Sequence, residues 1–131
     1  MKNKELLVSI MMCCYNGEKY LVEALNSVLK QSYSNWELIF WDNHSKDDSA
    51  KIFKSYSDSR FKYYYSENHT NLGGSRQSAW KKLNGDLVAI LDVDDIWLPN
   101  KLEIQVKDFV NKEIGISITN SIFFNQHQSK L

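Results

Sequence analysis

The organisation of this chain follows from one stretch, LVAILDVDDIWLP at residues 87–99. It opens with five apolar residues in a row, which is typical of a parallel strand that is covered on both faces and shows no polar alternation. Asp92, Asp94 and Asp95 then follow within four positions, where their negative charges repel one another. A divalent cation would relieve that repulsion, and carboxylate oxygens suit Mg²⁺ or Mn²⁺. Alternatively, Asp94 or Asp95 only caps a helix that opens near Pro99.

Segments with strand and helix patterns alternate along the chain. Apolar runs predict strands at residues 6–12, 36–41, 61–65, 87–91 and 114–119. Apolar residues spaced three and four apart predict helices at residues 18–31, 48–56, 75–83 and 101–111, and residues 68–74 are predicted to form a loop. Because parallel strands need crossover connections, this alternation predicts an α/β fold, a three-layer α/β/α sandwich with a mostly parallel sheet.

Polar residues follow three of the predicted strands at the point where each strand ends. Right-handed crossovers bring the carboxyl ends of parallel strands to one edge of the sheet, which is where open α/β sheets bind ligands. We therefore expect these residues to meet in one cleft, and their convergence favours the metal interpretation of the acidic stretch. They are Tyr15, Asn16, Asp42, Asn43, Asp92 and Asp94.

Bulk composition narrows the class of protein. The 131 residues are enough for one domain, and 43% apolar with 24% charged residues is the composition of a globular protein. The net charge of zero gives no electrostatic case for binding nucleic acid or an anionic membrane. No apolar run approaches the roughly 20 residues of a transmembrane helix, and no signal-peptide cleavage site follows the first apolar run. Cys13 and Cys14 are adjacent, so they predict packed thiols in a reducing compartment, and we expect the cytoplasm.

Several side chains in the predicted cleft could hold a nucleotide. Tyr15 could stack on a base ring, and Asp42 or Asn43 could accept a hydrogen bond from a base N–H. Arg76 could meet a phosphate. Each has a structural alternative, because Tyr15 could only pack at a strand end, residues 42–45 could be turn residues, and Arg76 could be a solvated helix residue. The three histidines form no ligand set and are expected on the surface; they are His44, His69 and His127.

The run VSIMMCCYNGEKYL at residues 8–21 resembles the opening of the family 2 inverting glycosyltransferases, which have the GT-A fold and transfer a sugar from a nucleoside diphosphate donor. Later segments resemble that family in the same order, and they are SVLKQSY at 27–33, WELI at 36–39, DNHSKDDS at 42–49 and the Asp-x-Asp stretch at 85–95. The similarity runs from Val8 to Gln105. It implies the Rossmann-like nucleotide-binding half of a GT-A enzyme of cell-surface polysaccharide biosynthesis.

The resemblance assigns roles by position. It implies that Tyr15, Asp42 and Asn43 contact the donor base and that Arg76 lies near the nucleotide. Asp92 would face the ribose or the metal, and Asp94 would coordinate a Mn²⁺ or Mg²⁺ ion that bridges the two phosphates. Cys13, Asn16 and Val93 complete the implied nucleotide site. Many relatives have Asp at position 43, where this chain has Asn, and Pro-Thr or Thr-Ser at positions 13 and 14.

The implied reaction is metal-assisted transfer, with inversion, from a nucleoside diphosphate sugar, expected to be a UDP-sugar, to a saccharide or lipid-linked acceptor. In the family the general base lies well downstream of the Asp-x-Asp motif, in an acceptor-binding half. Glu103, Asp108 and Glu113 do not resemble its motif. We therefore expect residues 1–131 to be a single donor-binding domain, truncated before that half, from an enzyme peripheral to the membrane. The face where the missing half would dock could drive self-association.

Two other classes of function remain open at this point. The chain could be a nucleotide-binding or interaction module without catalysis. It could also be a haloacid-dehalogenase-type phosphatase, in which Asp92 would attack phosphate. In that class the motif lies near the start of the chain and a Thr or Val follows it, whereas Ile96 stands at that position here and the motif comes late.

Overall fold

The computed structural model describes residues 5–111 and 113–124. In that part of the chain strands and helices alternate. The elements are β1 (Val8–Cys14), α1 (Glu18–Leu29), β2 (Trp36–Asp42), α2 (Ser49–Lys54), β3 (Phe61–Tyr65), α3 (Leu72–Trp80), β4 (Leu87–Ile90) and α4 (Lys101–Asp108). The strands form one parallel sheet in the order β3-β2-β1-β4. This architecture confirms the predicted α/β class.

The two faces of the sheet are covered by different helices. Alternate residues of β1 point into a core that also contains apolar residues of α1, Phe53 of α2 and Leu102 of α4. In α1 the buried apolar residues recur at a spacing of three and four, as predicted, and they are Leu21, Ala24, Leu25 and Val28. The opposite face is covered by α3, which buries the small side chains Ser75 and Ala79. Helices on both faces give the expected three layers.

A buried polar cluster joins the amino-terminal ends of the strands on the α3 face. Glu37 accepts hydrogen bonds of 2.6 Å from Ser9 Oγ and 2.6 Å from Lys62 Nζ. The backbone N–H of Asn84 donates to the same carboxylate at 2.8 Å. Burial alone would raise the pKa of Glu37, but the hydrogen bonds from Lys62, Ser9 and Asn84 outweigh it and lower that pKa. The cluster therefore fastens the turn between α3 and β4 to the sheet.

Strand β4 lies at the edge of the sheet, so the prediction that residues 87–91 are covered on both faces is wrong. Val88 is 39% exposed and Ile90 is 52% exposed. Both project from the face where α3 packs, but α3 packs mainly against β1 and β2. An uninterrupted apolar run therefore did not distinguish an edge strand from a central one.

The predicted strand at residues 114–119 is also wrong. In the described chain this segment has no strand pairing, and Ile116 and Ile118 are exposed. Its alternating apolar pattern is typical of a strand, but a strand also needs a backbone partner. The segment contacts α4 through Gln105, whose Nε2 donates to the carbonyl of Ser117 at 2.9 Å.

Helix α3 begins three residues earlier than the sequence pattern predicts. Asn71 caps it, since its Oδ1 accepts a 2.8 Å hydrogen bond from the backbone N–H of Gly74. Gly73 and Gly74, which the pattern assigns to a loop, form the first turn of the helix. The other predicted boundaries of the elements that form differ from the observed ones by at most three residues. No helix in the described ranges has the length and apolarity to cross a membrane.

Candidate functional site

Three neighbouring parallel strands end at the same edge of the sheet. Cys14 of β1 is paired with Asp42 of β2, and Met11 of β1 is paired with Ile90 of β4. The N–H of Leu91 continues this alignment with a 3.1 Å hydrogen bond to the carbonyl of Met11. The loops that follow the three strands therefore lie side by side, which confirms the predicted convergence of their polar residues.

A cavity of about 230 Å³ opens at this edge. It lies between the ends of β1 and β2, the loop from β3 to α3, and the start of α3. Its walls are Cys13, Cys14, Tyr15, Asn43, His69, Thr70, Asn71, Leu72 and Ser75. Three of the predicted nucleotide-binding residues, Cys13, Tyr15 and Asn43, are thus brought together in one concave surface.

An aromatic pair lies at the rim of this cavity. The ring of Tyr15, which is 50% exposed, lies 4.1 Å from the ring of His69, measured between centroids. His69 was expected on the surface and outside any ligand set; it is exposed, and it lines the cavity. No periodicity or motif singled it out, because its position depends on the fold of the loop after β3. His44 instead contacts the hydroxyl of Tyr65 at 2.8 Å, and His127 lies outside the described residues.

Asn43 is buried and connects β2 to the wall of the cavity. Its Nδ2 donates a 2.6 Å hydrogen bond to the carbonyl of Thr70. Its Oδ1 accepts from the backbone N–H and the hydroxyl of Thr70, at 3.1 Å and 3.0 Å. Its side chain and carbonyl also lie 3.3 Å and 3.2 Å from His69 Nδ1. The amide of Asn43 is therefore engaged with the loop that carries His69.

Asp42 is fully buried and does not line the cavity. Its Oδ1 accepts a 2.8 Å hydrogen bond from the N–H of Ser45, and its Oδ2 accepts a 2.7 Å bond from the hydroxyl of Tyr63. Burial, followed by this hydrogen bond to Asp42, raises the pKa of Tyr63. The carboxylate thus shapes the loop after β2, and the contact with a base implied by the resemblance stays a prediction.

Asn16 holds the turn between β1 and α1 in a left-handed conformation, with φ of 52°. Its Oδ1 accepts a 2.8 Å hydrogen bond from the N–H of Lys46, and its own N–H donates to Ser45 Oγ at 3.0 Å. Asparagine tolerates this conformation better than most residues. The turns after β1 and β2 are therefore fastened to each other.

Backbone N–H groups at the start of α1 donate hydrogen bonds to side chains from the loop after β2. The N–H of Gly17 donates to Ser49 Oγ at 2.9 Å, and the N–H of Glu18 donates to Asp47 Oδ2 at 3.0 Å. Ser45, Asp47 and Ser49 belong to the stretch at 42–49 that resembles the glycosyltransferase family, and residues 42–45 had a turn as their structural alternative. The structure shows what these polar residues do, because each supplies an oxygen to a backbone N–H of the neighbouring loop.

The acidic stretch after β4 forms a turn, in which the N–H of Asp95 donates to the carbonyl of Asp92 at 3.1 Å. Arg76 of α3 pairs with Asp92, with 3.1 Å between Nη2 and Oδ1. Asp94 is exposed. Helix α4 begins at Lys101 after Asn100, so neither Asp94 nor Asp95 caps it, and the capping alternative is wrong.

Val93, between the first two aspartates, packs against the backbone of Gly17. A Cβ built on Gly17 would lie 3.1 Å from Val93 Cγ2 and 2.9 Å from Cys14 Sγ. Only a glycine leaves room for this contact. The position of the acidic turn is therefore set by the start of α1 as well as by Arg76.

The acidic turn carries an excess of negative charge. Burial raises the pKa of Asp95, and the charges of Asp94 and Asp92 raise it further. Within the described ranges no three or more His, Cys, Asp or Glu side chains form a ready-made metal cluster. The carboxylates nevertheless fit a hard divalent cation by donor type, since repulsion among them is what such an ion would relieve.

Cys13 lies between the cavity and the acidic turn. Burial raises the pKa of its thiol, while a hydrogen bond with Ser75 and the charge of Arg76 partly offset the effect. Burial also raises the pKa of Cys14. Both thiols are free, as the sequence predicted, and both stay protonated at neutral pH.

Comparison with known protein families gives one match that covers nearly the whole chain. The sequence profile described as "Glycosyl transferase family 2" matches residues 9–130. This range contains the cavity, Arg76 and the acidic turn.

Several curated proteins resemble the chain over most of its length. A UDP-Glc:alpha-D-GlcNAc-diphosphoundecaprenol beta-1,3-glucosyltransferase, WfgD of Escherichia coli, is 38% identical over 123 residues, which are 94% of this chain and 49% of that protein. A putative teichuronic acid biosynthesis glycosyltransferase, TuaG of Bacillus subtilis, is 34% identical over 91% of this chain and 48% of its own length. The chain thus spans about half the length of these curated relatives.

Solved structures show the same fold. S. aureus TarS 1-349 in complex with UDP superimposes with a TM-score of 0.77 at 25% identity, over 90% of this chain and 39% of that one. The mannosyltransferase PcManGT from Pyrobaculum calidifontis, in complex with GDP-Man and Mn²⁺, has a TM-score of 0.78 at 20% identity, over 84% of this chain and 34% of that one. The second likeness bears on the fold alone.

Proposed function

The chain belongs to glycosyl transferase family 2, and from that membership we propose that it binds the nucleoside diphosphate sugar donor of a sugar transfer reaction. The observation that carries the proposal is the cavity at the ends of β1 and β2, with the acidic turn on the next strand of the sheet. An aromatic rim suits a base and a cluster of carboxylates suits a cation bound to a diphosphate. Membership in this family argues against the phosphatase alternative.

The base of the donor is proposed to lie against Tyr15. Its half-exposed ring offers a flat apolar face beside a concave surface. We propose uridine as the base, because the names of WfgD and of the TarS complex specify UDP-linked ligands. The further residues proposed to surround the nucleotide are Cys13, Asn16, Asp42, Asn43, Arg76, Asp92 and Val93.

The diphosphate is proposed to lie nearer the acidic turn. Arg76 carries guanidinium N–H groups that match phosphate oxygens, and it lies on the flank of α3 that faces Asp92. Asp94, with Asp92, would hold a Mn²⁺ or Mg²⁺ ion. When bound, that ion would stabilise the negative charge on the departing nucleoside diphosphate as a Lewis acid.

The reaction proposed for the complete enzyme is displacement at the anomeric carbon with inversion. The bond from that carbon to the diphosphate oxygen breaks, the acceptor oxygen forms the new bond, and the acceptor proton passes to a general base. Glu103, Asp108 and Glu113 do not line the cavity, and we assign the base to none of them. The acceptor is proposed to be a saccharide or a lipid-linked sugar, as in the name of WfgD.

The compartment of the enzyme and the association state of this chain are two further proposals. Free, packed thiols are compatible with a reducing compartment, so we propose that the enzyme works in the cytoplasm, peripheral to the membrane that holds a lipid-linked acceptor. The exposed apolar side chains of β4 and of the segment after α4 support self-association of this 131-residue chain. Sedimentation at increasing protein concentration tests this, since a constant monomer mass would contradict it.

Because the chain spans about half of its relatives, nucleotide binding without transfer is the alternative. Calorimetric titration with UDP, GDP and dTDP, each with and without Mn²⁺, tests donor binding directly. We expect Mn²⁺-dependent binding of UDP that Asp94→Ala abolishes and Tyr15→Ala weakens about tenfold. Glu23→Ala, which removes an exposed carboxylate on α1, is the matched control. A folded protein that binds none of the three nucleotides would contradict the proposal, and sugar transfer by this chain would contradict the alternative.

A further inference from the structure

The loop between β3 and α3 forms one wall of the cavity, and the side chain of Asn43 holds its last residues to the end of β2. His69 and Thr70 are both exposed members of this wall. Asn43, at the end of β2, engages the two of them through the hydrogen bonds given above. Only 4% of the surface of Asn43 is exposed, so little of it is left for a ligand to touch.

The hydrogen bonds also fix the orientation of the amide. The N–H and hydroxyl of Thr70 are donors, so they must meet the oxygen of Asn43. The carbonyl of Thr70 only accepts, so the group 2.6 Å from it must be the nitrogen. An ionised carboxylate at this position could accept from Thr70 but could donate nothing to its carbonyl. The contact therefore requires the donor that an asparagine has and an aspartate lacks.

We propose that Asn43 is a positioning residue, which holds the loop of His69 and Thr70 in place as a wall of the base pocket and does not itself read the base. The inference rests on the proposed donor binding at this cavity. Asn43 acts through this loop. The loop presents the ring of His69 to the nucleotide, and that ring lies 4.1 Å from the ring of Tyr15, measured between centroids.

Direct reading of the base by position 43 leads to the opposite expectation. A carboxylate is a stronger acceptor for a base N–H than an amide oxygen, so Asn43→Asp would then bind UDP as well as the unchanged chain or better. If Asn43 holds the loop, the same substitution places a charged oxygen against the carbonyl of Thr70 and releases the wall.

The experiment uses Asn43→Asp in the complete 131-residue chain and two measurements. Amide hydrogen exchange without nucleotide reports on the loop, and we expect faster exchange at the N–H of Thr70. Titration with UDP and Mn²⁺ at about pH 8 should give an affinity about tenfold lower or worse. Burial and the facing carbonyl of Thr70 should raise the pKa of a carboxyl group at position 43. Near pH 5 more of that group is protonated and can donate to the carbonyl, so the loss relative to the unchanged chain should shrink.

Other titratable groups surround this position and must be accounted for. His69 faces Asn43, and Tyr15, Cys13 and Cys14 line the same cavity. All four are present in both proteins, so the comparison at each pH removes the part of their contribution that does not depend on position 43. His69 Nδ1 lies 3.3 Å from Asn43 Nδ2, so coupling of this ring to the added carboxylate is part of the effect of the substitution. Only the added carboxylate differs.

Asn71→Asp is the matched control. Asn71 lies in the same loop, and its Oδ1 accepts from the N–H of Gly74, which an aspartate can also do. This variant adds the same charge to the cavity and should leave the exchange at Thr70 unchanged. Thr70→Val, which removes one hydroxyl donor to Asn43 and keeps the shape of the side chain, is a milder test should Asn43→Asp fail to fold. It should weaken binding about threefold.

Three outcomes would overturn the inference. They are unchanged or tighter binding of UDP by Asn43→Asp, unchanged exchange at Thr70, and an equal change of exchange in Asn71→Asp. If the unchanged chain binds no nucleotide, the proposed function fails, and the exchange measurement then decides alone whether Asn43 holds the loop.

Discussion

Arg76 of α3 lies 3.1 Å from Asp92, the first carboxylate after β4, and joins the helix on one face of the sheet to the acidic turn at its edge. Both side chains are partly exposed, so the pair contributes no more than about 1 kcal/mol to folding. Its importance lies in placing a guanidinium beside the carboxylates that are proposed to bind a cation.

Removing Arg76 should therefore affect ligand binding more than stability. We expect Arg76→Ala to weaken UDP binding about tenfold or more, because a charge-assisted hydrogen bond to phosphate is lost. The melting temperature should change little. Calorimetry and thermal unfolding check the two parts, with Lys81→Ala as a control that removes an exposed positive charge from the end of the same helix. A large drop in melting temperature with unchanged affinity would contradict the proposed role.

The raised pKa of Asp95 makes the acidic turn a source of instability without a cation. Because the folded-state pKa lies above the unfolded one, the contribution of Asp95 to stability is complete below the unfolded pKa and is lost as the pH rises through the folded pKa. Asp95→Asn should thus stabilise the metal-free protein at pH values above both pKa values and bring no such gain below them. Urea unfolding at neutral and acidic pH measures this. A neutral-pH loss of stability would contradict it, and Mn²⁺ should reduce the gain.

Gly17 and Gly73 make a matched pair for substitution by alanine. A Cβ on Gly17 would crowd Cys14 and Val93, so Gly17→Ala should cost about 1–3 kcal/mol in the free energy of unfolding. A Cβ on Gly73 meets only Asn71 Oδ1, at 3.5 Å, and this position is helical. Gly73→Ala should therefore stabilise the protein by about 0.5–1 kcal/mol. Urea unfolding of both variants checks the prediction, and equal effects would contradict it.

Glu37 should make the stability of the fold depend on pH. Its pKa is lowered, so its contribution is present above the unfolded pKa and is lost as the pH falls through the folded pKa. Glu37→Gln should remove this part of the dependence and cost about 1–3 kcal/mol at neutral pH, because Lys62 loses its charged partner. Unfolding curves at several pH values measure it. The same pH dependence of the free energy of unfolding in both proteins would contradict the prediction.

The part of the fold that the sequence predicted well is the part governed by local periodicity. The apolar spacing in α1 and the aromatic run of β3 identified a helix and a strand whose structure agrees closely with the pattern. The pattern did not reveal that β4 is an edge strand, because Val88 and Ile90 are as apolar as central residues and their exposure depends on where α3 lies.

The candidate site also has a part that local sequence patterns predict and a part that they do not. Tyr15 and the aspartates follow apolar runs directly, so strand ends located them. His69 reaches the cavity through a loop whose course depends on the bonds between Asn43 and Thr70. Such contacts join residues far apart in sequence, and no local pattern contains them.

The backbone N–H groups at the start of α1 already have hydrogen-bond partners within the chain, which limits how an anion can bind at this edge of the sheet. A helix carries a partial positive charge at its amino terminus, and many nucleotide-binding folds place phosphates there. Here Asp47 and Ser49 already fill the first peptide groups of α1. The carboxylate of Asp47 therefore already offsets part of the positive charge at this end of α1. Countercharge for the diphosphate of the proposed donor is therefore expected from Arg76 and from the proposed cation, and the affinity should then be sensitive to chelators and to ionic strength.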